Sequence, residues 1–171
     1  MRKGLKDFYG QSQLRKQKGA FAEDIVQEIL EAKKWQIYKP PHDKYAHTFD
    51  FMALNWECKT LFIEVKAQRF KGVFCIKEHN YEAYKKIIEQ HEQDFLLFVV
   101  NNNSANPAIY CTQFRGLLKP TRIQGKKYPE YKKADNKKFH HDTYWFSLDQ
   151  FKKVRDLTKT ELQKLNKLSG G

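Results

Sequence analysis

Asp50, Glu64 and Lys66 are the residues of this chain whose types and spacing could do chemistry together. Glu64 and Lys66 lie two apart in the run Leu61-Phe62-Ile63-Glu64-Val65-Lys66, which has the apolar, β-branched character of a strand. Side chains two apart in a strand share a face, so Glu64 and Lys66 project together while Ile63 and Val65 cover the other side. Two charges on an otherwise apolar strand are costly unless they are paired, hydrated or bound to a metal. Asp50 ends a second apolar run just upstream. Two carboxylates and an ammonium on adjacent strands suit phosphodiester hydrolysis. The carboxylates can hold a hard divalent cation. The lysine can orient or deprotonate a water and neutralise phosphate charge.

The elements that must position these residues follow from periodicity. Residues 1–18 read as basic and irregular, and Gly19 to Lys34 as a helix whose face carries Phe21, Ala22, Ile25, Val26, Ile29 and Leu30. Short strands are expected over Trp35–Pro40, Thr48–Leu54, Leu61–Ala67 and Gly72–Ile76, the middle two as hairpin arms around 55–59. Glu78 to Glu92 reads as a helix with Tyr81, Tyr84, Ile87, Ile88 and His91 inward. Asp94–Val100 is a buried strand bounded by Asn101-Asn102-Asn103, and Ile109–Phe114 its neighbour. Tyr144–Phe146 is a further short strand. Ser147-Leu148-Asp149-Gln150 and Thr158-Lys159-Thr160-Glu161 have capping-box form and predict two helix starts. The expected fold class is α/β, a small mixed central sheet flanked by helices.

At this point the residues resemble a known superfamily. Asp50, thirteen intervening residues, then Glu64-Val65-Lys66 is similar to the PD-(D/E)xK nuclease motif. Lys18-Gly19-Ala20-Phe21-Ala22-Glu23, then Leu30 and Trp35-Gln36-Ile37, resembles the first helix and strand of archaeal Holliday-junction resolvases and related nucleases. The resemblance runs from about Lys16 to Phe114. Phe49 stands before Asp50 where the motif often has proline. The resemblance implies a restriction-endonuclease-like αβββαβ core and a metal site formed by Asp50 and Glu64, with the Val65 carbonyl and Glu23 as further ligands. It implies that Lys66 acts on the attacking water and that Gln68 lies near the phosphate. Mg²⁺ is the implied cofactor, with Mn²⁺ expected to substitute, and a homodimer is the expected assembly.

The whole chain sets bounds on this reading. Its 171 residues suit one nuclease domain, with a core over about 16–114, a basic insertion over 119–141 and a C-terminal helical extension over 147–168. A net charge of +12 favours a polyanionic partner, with DNA first and an acidic membrane surface second. No stretch has the length of a membrane helix and no secretory signal is legible, so a cytoplasmic protein without a membrane partner is expected. Cys58, Cys75 and Cys111 are far apart and read as reduced thiols. His140-His141-Asp142 and the scattered histidines lack the closely repeated spacing of a zinc site. No organic cofactor motif is present.

Between Lys119 and His141, eight lysines and arginines stand against two acids, with Tyr128, Tyr131 and Phe139 among them. Lys126, Lys127, Lys132 and Lys133 are candidate phosphate contacts there, and Arg15, Lys16 and Lys18 could extend the track. The expected activity is that of a Mg²⁺-dependent endonuclease acting on branched or junction DNA. The alternatives are a restriction-like or repair nuclease on duplex DNA, a nuclease-fold module that binds nucleic acid without cutting it, and a scaffold whose lysines only keep it in solution.

Overall fold

The computed structural model describes residues 3–40, 49–91, 94–117, 122–126 and 141–169, with the backbone alone for 3–10, 91, 122–126 and 141–142. In chain order the elements are α1 (Lys3–Glu31), β1 (Gln36–Tyr38), β2 (Phe51–Leu54), β3 (Thr60–Gln68), β4 (Val73–Lys77), α2 (Glu78–His91), β5 (Asp94–Asn101), β6 (Ala108–Gln113), β7 (Arg122–Lys126), β8 (His141–Ser147), β9 (Lys152–Asp156) and α3 (Lys159–Lys167). Among the described residues the strands form two sheets. One is six-stranded in the order β1-β2-β3-β5-β6-β9, the other three-stranded in the order β4-β8-β7. The large sheet is mixed: β3 and β5 run parallel, joined through α2, and the other neighbours are antiparallel. The expected α/β class is present, and the large sheet follows the order helix, three strands, helix, strand, with β4 of the small sheet as a fourth strand before α2.

Each face of the large sheet carries its own core, as strand alternation requires. On one face Leu61, Ile63 and Val65 of β3, with Phe98 and Val100 of β5, pack against Ala22, Ile25, Val26 and Leu30 of α1 and Leu165 of α3. On the other, Phe95, Leu97 and Val99 pack against Tyr81, Tyr84 and Ile88 of α2 and against Phe74, Ile76 and Phe146 of the small sheet. Aromatic rings dominate this second core. Tyr84 lies edge-on to Phe114 at 5.4 Å, and Tyr81 stacks near Phe146 at 5.8 Å.

The first helix is longer than its apolar pattern predicts. It begins at Lys3, because no proline interrupts the Lys-, Gln-, Leu- and Arg-rich residues before Gly19 and two glycines do not outweigh those helix formers. The basic insertion that begins at Lys119 holds β7, which is paired in register from Arg122↔Trp145 to Lys126↔His141. A partner strand supplies order that local periodicity does not show. The expected Tyr144–Phe146 strand runs from His141 to Ser147. The helix expected from Ser147 is absent, so the C-terminal segment over 147–168 is not a helical extension throughout. Ser147 makes no side-chain cap, and Leu148–Gln150 is a single 3₁₀ turn that leads into β9. Phe151 anchors in the aromatic core and Leu157 in the opposite one, so the chain must cross the sheet edge extended. The second capping box is formed. The Thr158 side chain accepts from the Glu161 N–H at 3.2 Å, and Glu161 accepts from the Thr158 N–H at 2.7 Å.

Candidate active site

The site forms where β2 stops and β3 continues. The β2–β3 ladder pairs Phe51↔Ile63 through Leu54↔Thr60, which leaves the second half of β3 without a neighbour on that side. Asp50 bridges the gap. Its backbone N–H donates to the Ile63 carbonyl at 2.9 Å, and its Oδ2 accepts the Val65 N–H at 2.7 Å. A carboxylate thus takes the place of the missing strand bond and is fixed beside β3. By the same alternation Glu64 and Lys66 share the face toward α2, and Asp50 abuts them. Glu64 is 4% exposed, and its Oε1 accepts from the Tyr84 hydroxyl at 2.8 Å and contacts the Lys66 ammonium. The aromatic packing of α2 therefore sets the Glu64 rotamer.

Burial pushes the Glu64 carboxyl up to about 7; the Asp50 charge adds to this, while Lys66 and the Tyr84 hydroxyl hold it back. Burial also raises Asp50, offset by the Val65 N–H and by Lys66 and Lys39. Tyr84 is raised too, by burial and then by Glu64, so it remains a neutral donor.

A cleft of about 750 Å³ opens over these groups. Its walls are Arg15, Lys18, Gly19 and Glu23 of α1, Asp50 with Val65 to Arg69 along β3, and Phe74 to Lys77, Asn80 and Thr143 on the opposite side. Glu64 lies beneath this surface. The structure therefore brings Glu23, Asp50, Val65, Lys66 and Gln68 to one cleft, with Glu64 directly below. Gln68 donates from Nε2 to Cys75 Sγ at 3.3 Å. Arg15 and Lys18 line the cleft because they share a helix face with Gly19 and Glu23. Lys16, one residue on from Arg15, points elsewhere and is exposed. Lys126 ends β7, and Lys127, Lys132 and Lys133 lie outside the described residues, as do His140 and the aromatics Tyr128, Tyr131 and Phe139.

A divalent cation would find hard oxygen donors at Asp50, Glu64 and the Val65 carbonyl. Among the described residues no group of three His, Cys, Asp or Glu is placed to hold a metal, and Glu23 lines the same cleft from α1. The donor set still fits Mg²⁺, which takes one or two carboxylates and keeps several waters. Burial is what raises the proton affinity of both acids, and a bound cation would offset that cost of ionising them.

Several contributors carry no signal in the sequence. Tyr84 is recognisable as inward-facing on α2 but not as the partner of Glu64. Lys77 and Thr143 come to the cleft only because the small sheet folds back beside β3, and Arg69 lies just past the end of that strand. That return turns at Gly72, whose φ of 71° suits a residue without a side chain. Lys18 is held by the buried Asn102, which accepts from its Nζ at 3.0 Å and donates to Asn166 at 2.9 Å and Ser169 at 3.1 Å. Burial lowers the Lys18 pKa and Arg69 lowers it further. Among the described residues no helix is long and apolar enough to cross a membrane.

Among solved structures, the chain is similar to Hjc, a Holliday junction resolvase from the archaeal hyperthermophile Archaeoglobus fulgidus. The identity is 13%, over 61% of this chain and 84% of that one, with a TM-score of 0.48. It is similar as well to a nuclease from a fusselovirus, at 14% identity over 99% of this chain and 96% of that one, with a TM-score of 0.47. No curated protein matches the sequence. Residues 22–112, more than half of the chain and the part that holds Glu23, Asp50, Glu64, Lys66 and Gln68, match the family model described as Protein NO VEIN, C-terminal, and the chain belongs to that family.

Proposed function

We propose that this protein is a metal-dependent nuclease that hydrolyses phosphodiester bonds of DNA, with Asp50 and Glu64 holding Mg²⁺ or Mn²⁺ and Lys66 acting at the scissile phosphate. One observation carries the reading. Asp50, fixed against β3 by the Val65 N–H, and Lys66, whose ammonium contacts the buried Glu64, line one cleft whose walls also carry Arg15, Lys18, Arg69 and Lys77. When bound, the metal would supply Lewis-acid charge for the phosphoryl oxygen and lower the pKa of a water. The chain's own groups account for the rest. Asp50 is locked by the Val65 N–H, so its free oxygen has one orientation. Tyr84 holds Glu64 by one oxygen. Lys66, half-exposed beside the cleft, can place its ammonium against the attacking water or the phosphate. Glu23 reaches the same cleft from α1 and can hold a water there. Gln68 lies one strand period beyond Lys66 and faces the substrate path.

Branched or junction DNA is the substrate that the sequence resemblance favours, and two symmetric cuts there would call for a homodimer. A second reading, binding without cleavage, draws on the lack of a three-acid group among the described residues. Labelled junction, flap, single-stranded and duplex DNA, each incubated with Mg²⁺, Mn²⁺ or chelator, separates these readings. Cleavage that needs the metal and prefers junctions supports the first reading. Tight binding with intact products in every metal supports the second.

A further inference from the structure

The cleft has a wall that the carboxylates do not explain. β4 and β8 place Lys77 and Thr143 directly across from each other in the ladder, and both face the cleft from the side opposite α1. Thr143 is 3% exposed, yet its Oγ1 finds no hydrogen-bond partner among the described residues. The Gln68 Oε1, in the same cleft, is likewise buried without a partner. A buried hydroxyl or amide oxygen left unpaired costs about 1–3 kcal/mol, and such groups are rare in folded proteins. Valine at 143 would fill nearly the same volume at no such cost. Two of these groups together, beside Lys77 and lining an open cleft, mark a place where a ligand completes the hydrogen bonding.

From this placement we infer that Lys77, Thr143 and Gln68 form a second phosphate subsite, which holds a phosphodiester of the substrate strand away from the one being cut. This rests on the nuclease reading and extends it to the mode of substrate binding. A turn of the buried Thr143 side chain about its Cα–Cβ bond brings its hydroxyl to donate to a non-bridging phosphate oxygen, and Lys77 supplies the charge. Gln68 joins by turning its amide end for end. Its Oε1 then accepts from the Cys75 thiol, whose Sγ already lies 3.3 Å from the amide nitrogen, and Nε2 faces the anion. Arg15 and Lys18 stand on the opposite wall. A strand gripped at this subsite therefore passes between α1 and the small sheet, enclosed on both sides. An unpaired strand can do this, whereas a duplex would present its second strand to one of the walls. The substrate class that follows is DNA with an unpaired strand at the site of cutting, such as a flap, a single-stranded arm or the opened centre of a branch.

The test uses the full chain with a fluorescein-labelled oligothymidylate, which stays unpaired, and with the same strand annealed to its complement, both in Ca²⁺ to suppress cutting. Anisotropy titrations give affinity against salt, and thermal melts without DNA give stability. Thr143→Val should weaken binding of the single strand by about tenfold, as loss of a hydrogen bond to a charged group does, and should not lower the melting temperature. Thr143→Ser should restore the affinity. Lys77→Ala should flatten the log–log salt dependence for the single strand by about 0.7. The wild-type protein should hold the single strand more tightly than the duplex. A lower melting temperature for Thr143→Val with unchanged affinity would make the hydroxyl a structural group and overturn the subsite. An unchanged salt slope in Lys77→Ala would overturn it as well. If wild type binds and cuts DNA while these variants bind normally, only the subsite fails. If wild type binds neither probe and cuts none of the junction, flap, single-stranded and duplex substrates, the nuclease reading fails with it.

Discussion

Replacing Glu64 with glutamine should make the metal-free protein more stable at alkaline pH. The reason lies in the burial of an acid that must be charged to hold a cation. Glu64 is 4% exposed and its pKa is raised from 4.5 to about 7, first by burial and then by Asp50. For a carboxyl whose folded pKa exceeds its unfolded value, the native state binds more protons between the two values. Stability from this group is therefore greatest at acid pH, falls as pH rises from about 4.5 to 7, and stays low above that. A tenfold difference in proton affinity between the folded and unfolded chain is worth about 1.36 kcal/mol, so roughly 2–3 kcal/mol is lost between pH 5 and 8. Glutamine keeps the shape and still accepts from Tyr84, but it does not titrate. Urea unfolding of wild type and Glu64→Gln in chelator at pH 5, 6, 7 and 8 gives the two profiles. The difference should widen in favour of the variant by roughly 2–3 kcal/mol across that range, or about 5–10 °C in thermal melts of a chain this size. Adding Mg²⁺ at pH 8 should stabilise wild type and not the variant. Parallel profiles from pH 5 to 8 would refute the argument, because they would mean that the Glu64 carboxyl is not desolvated beneath the cleft.

Three further outcomes follow from the same geometry. Tyr84→Phe removes a donor to the charged form of Glu64, so the Glu64 pKa should rise further and the pH profile of metal-dependent cleavage should move to higher pH; an unmoved profile would show that the hydroxyl does not act on Glu64. Asn102→Leu leaves Asn166 and Ser169 without their partner and frees Lys18; it should cost about 1–3 kcal/mol in urea unfolding and weaken DNA binding together. The Arg155–Glu161 pair, at 2.6 Å, lowers the Glu161 pKa, so its contribution is present above the ordinary glutamate pKa and is lost as pH falls through the folded value; Glu161→Gln should remove that acid-side loss from the unfolding profile.

The parts of this protein that could be read from its sequence are those governed by local alternation. Ile63 and Val65 against Glu64 and Lys66 define the two faces of β3, and the α1 stripe from Phe21 to Leu30 defines the helix that covers one of them. The placement of Asp50 beside Glu64 follows from the hairpin register. What could not be read depends on pairing across long separations. β7 shows little pattern alone and β8 shows it only over Tyr144–Phe146; both reach their full extent by pairing, β7 with β8 and β8 also with β4. The small sheet, and with it Lys77 and Thr143, comes to the cleft through that pairing. Ser147 carries the letters of a helix cap, but Phe151 and Leu157 must reach opposite cores, and that demand overrides the cap. Lys16 misses the cleft for a local reason, because the contacts of α1 with the cleft repeat at three and four residues and Lys16 falls between them.

The most direct test of the central claim is single-turnover cleavage of a labelled branched DNA by wild type, Asp50→Ala, Glu64→Ala and Lys66→Ala purified in parallel, with binding measured in Ca²⁺ for each. The account predicts metal-dependent cutting by wild type, none detectable in either carboxylate variant, and a loss on the order of 10²-fold or more in Lys66→Ala, while DNA binding stays close to wild type. Full activity in both carboxylate variants would contradict it and place the chemistry outside this cleft.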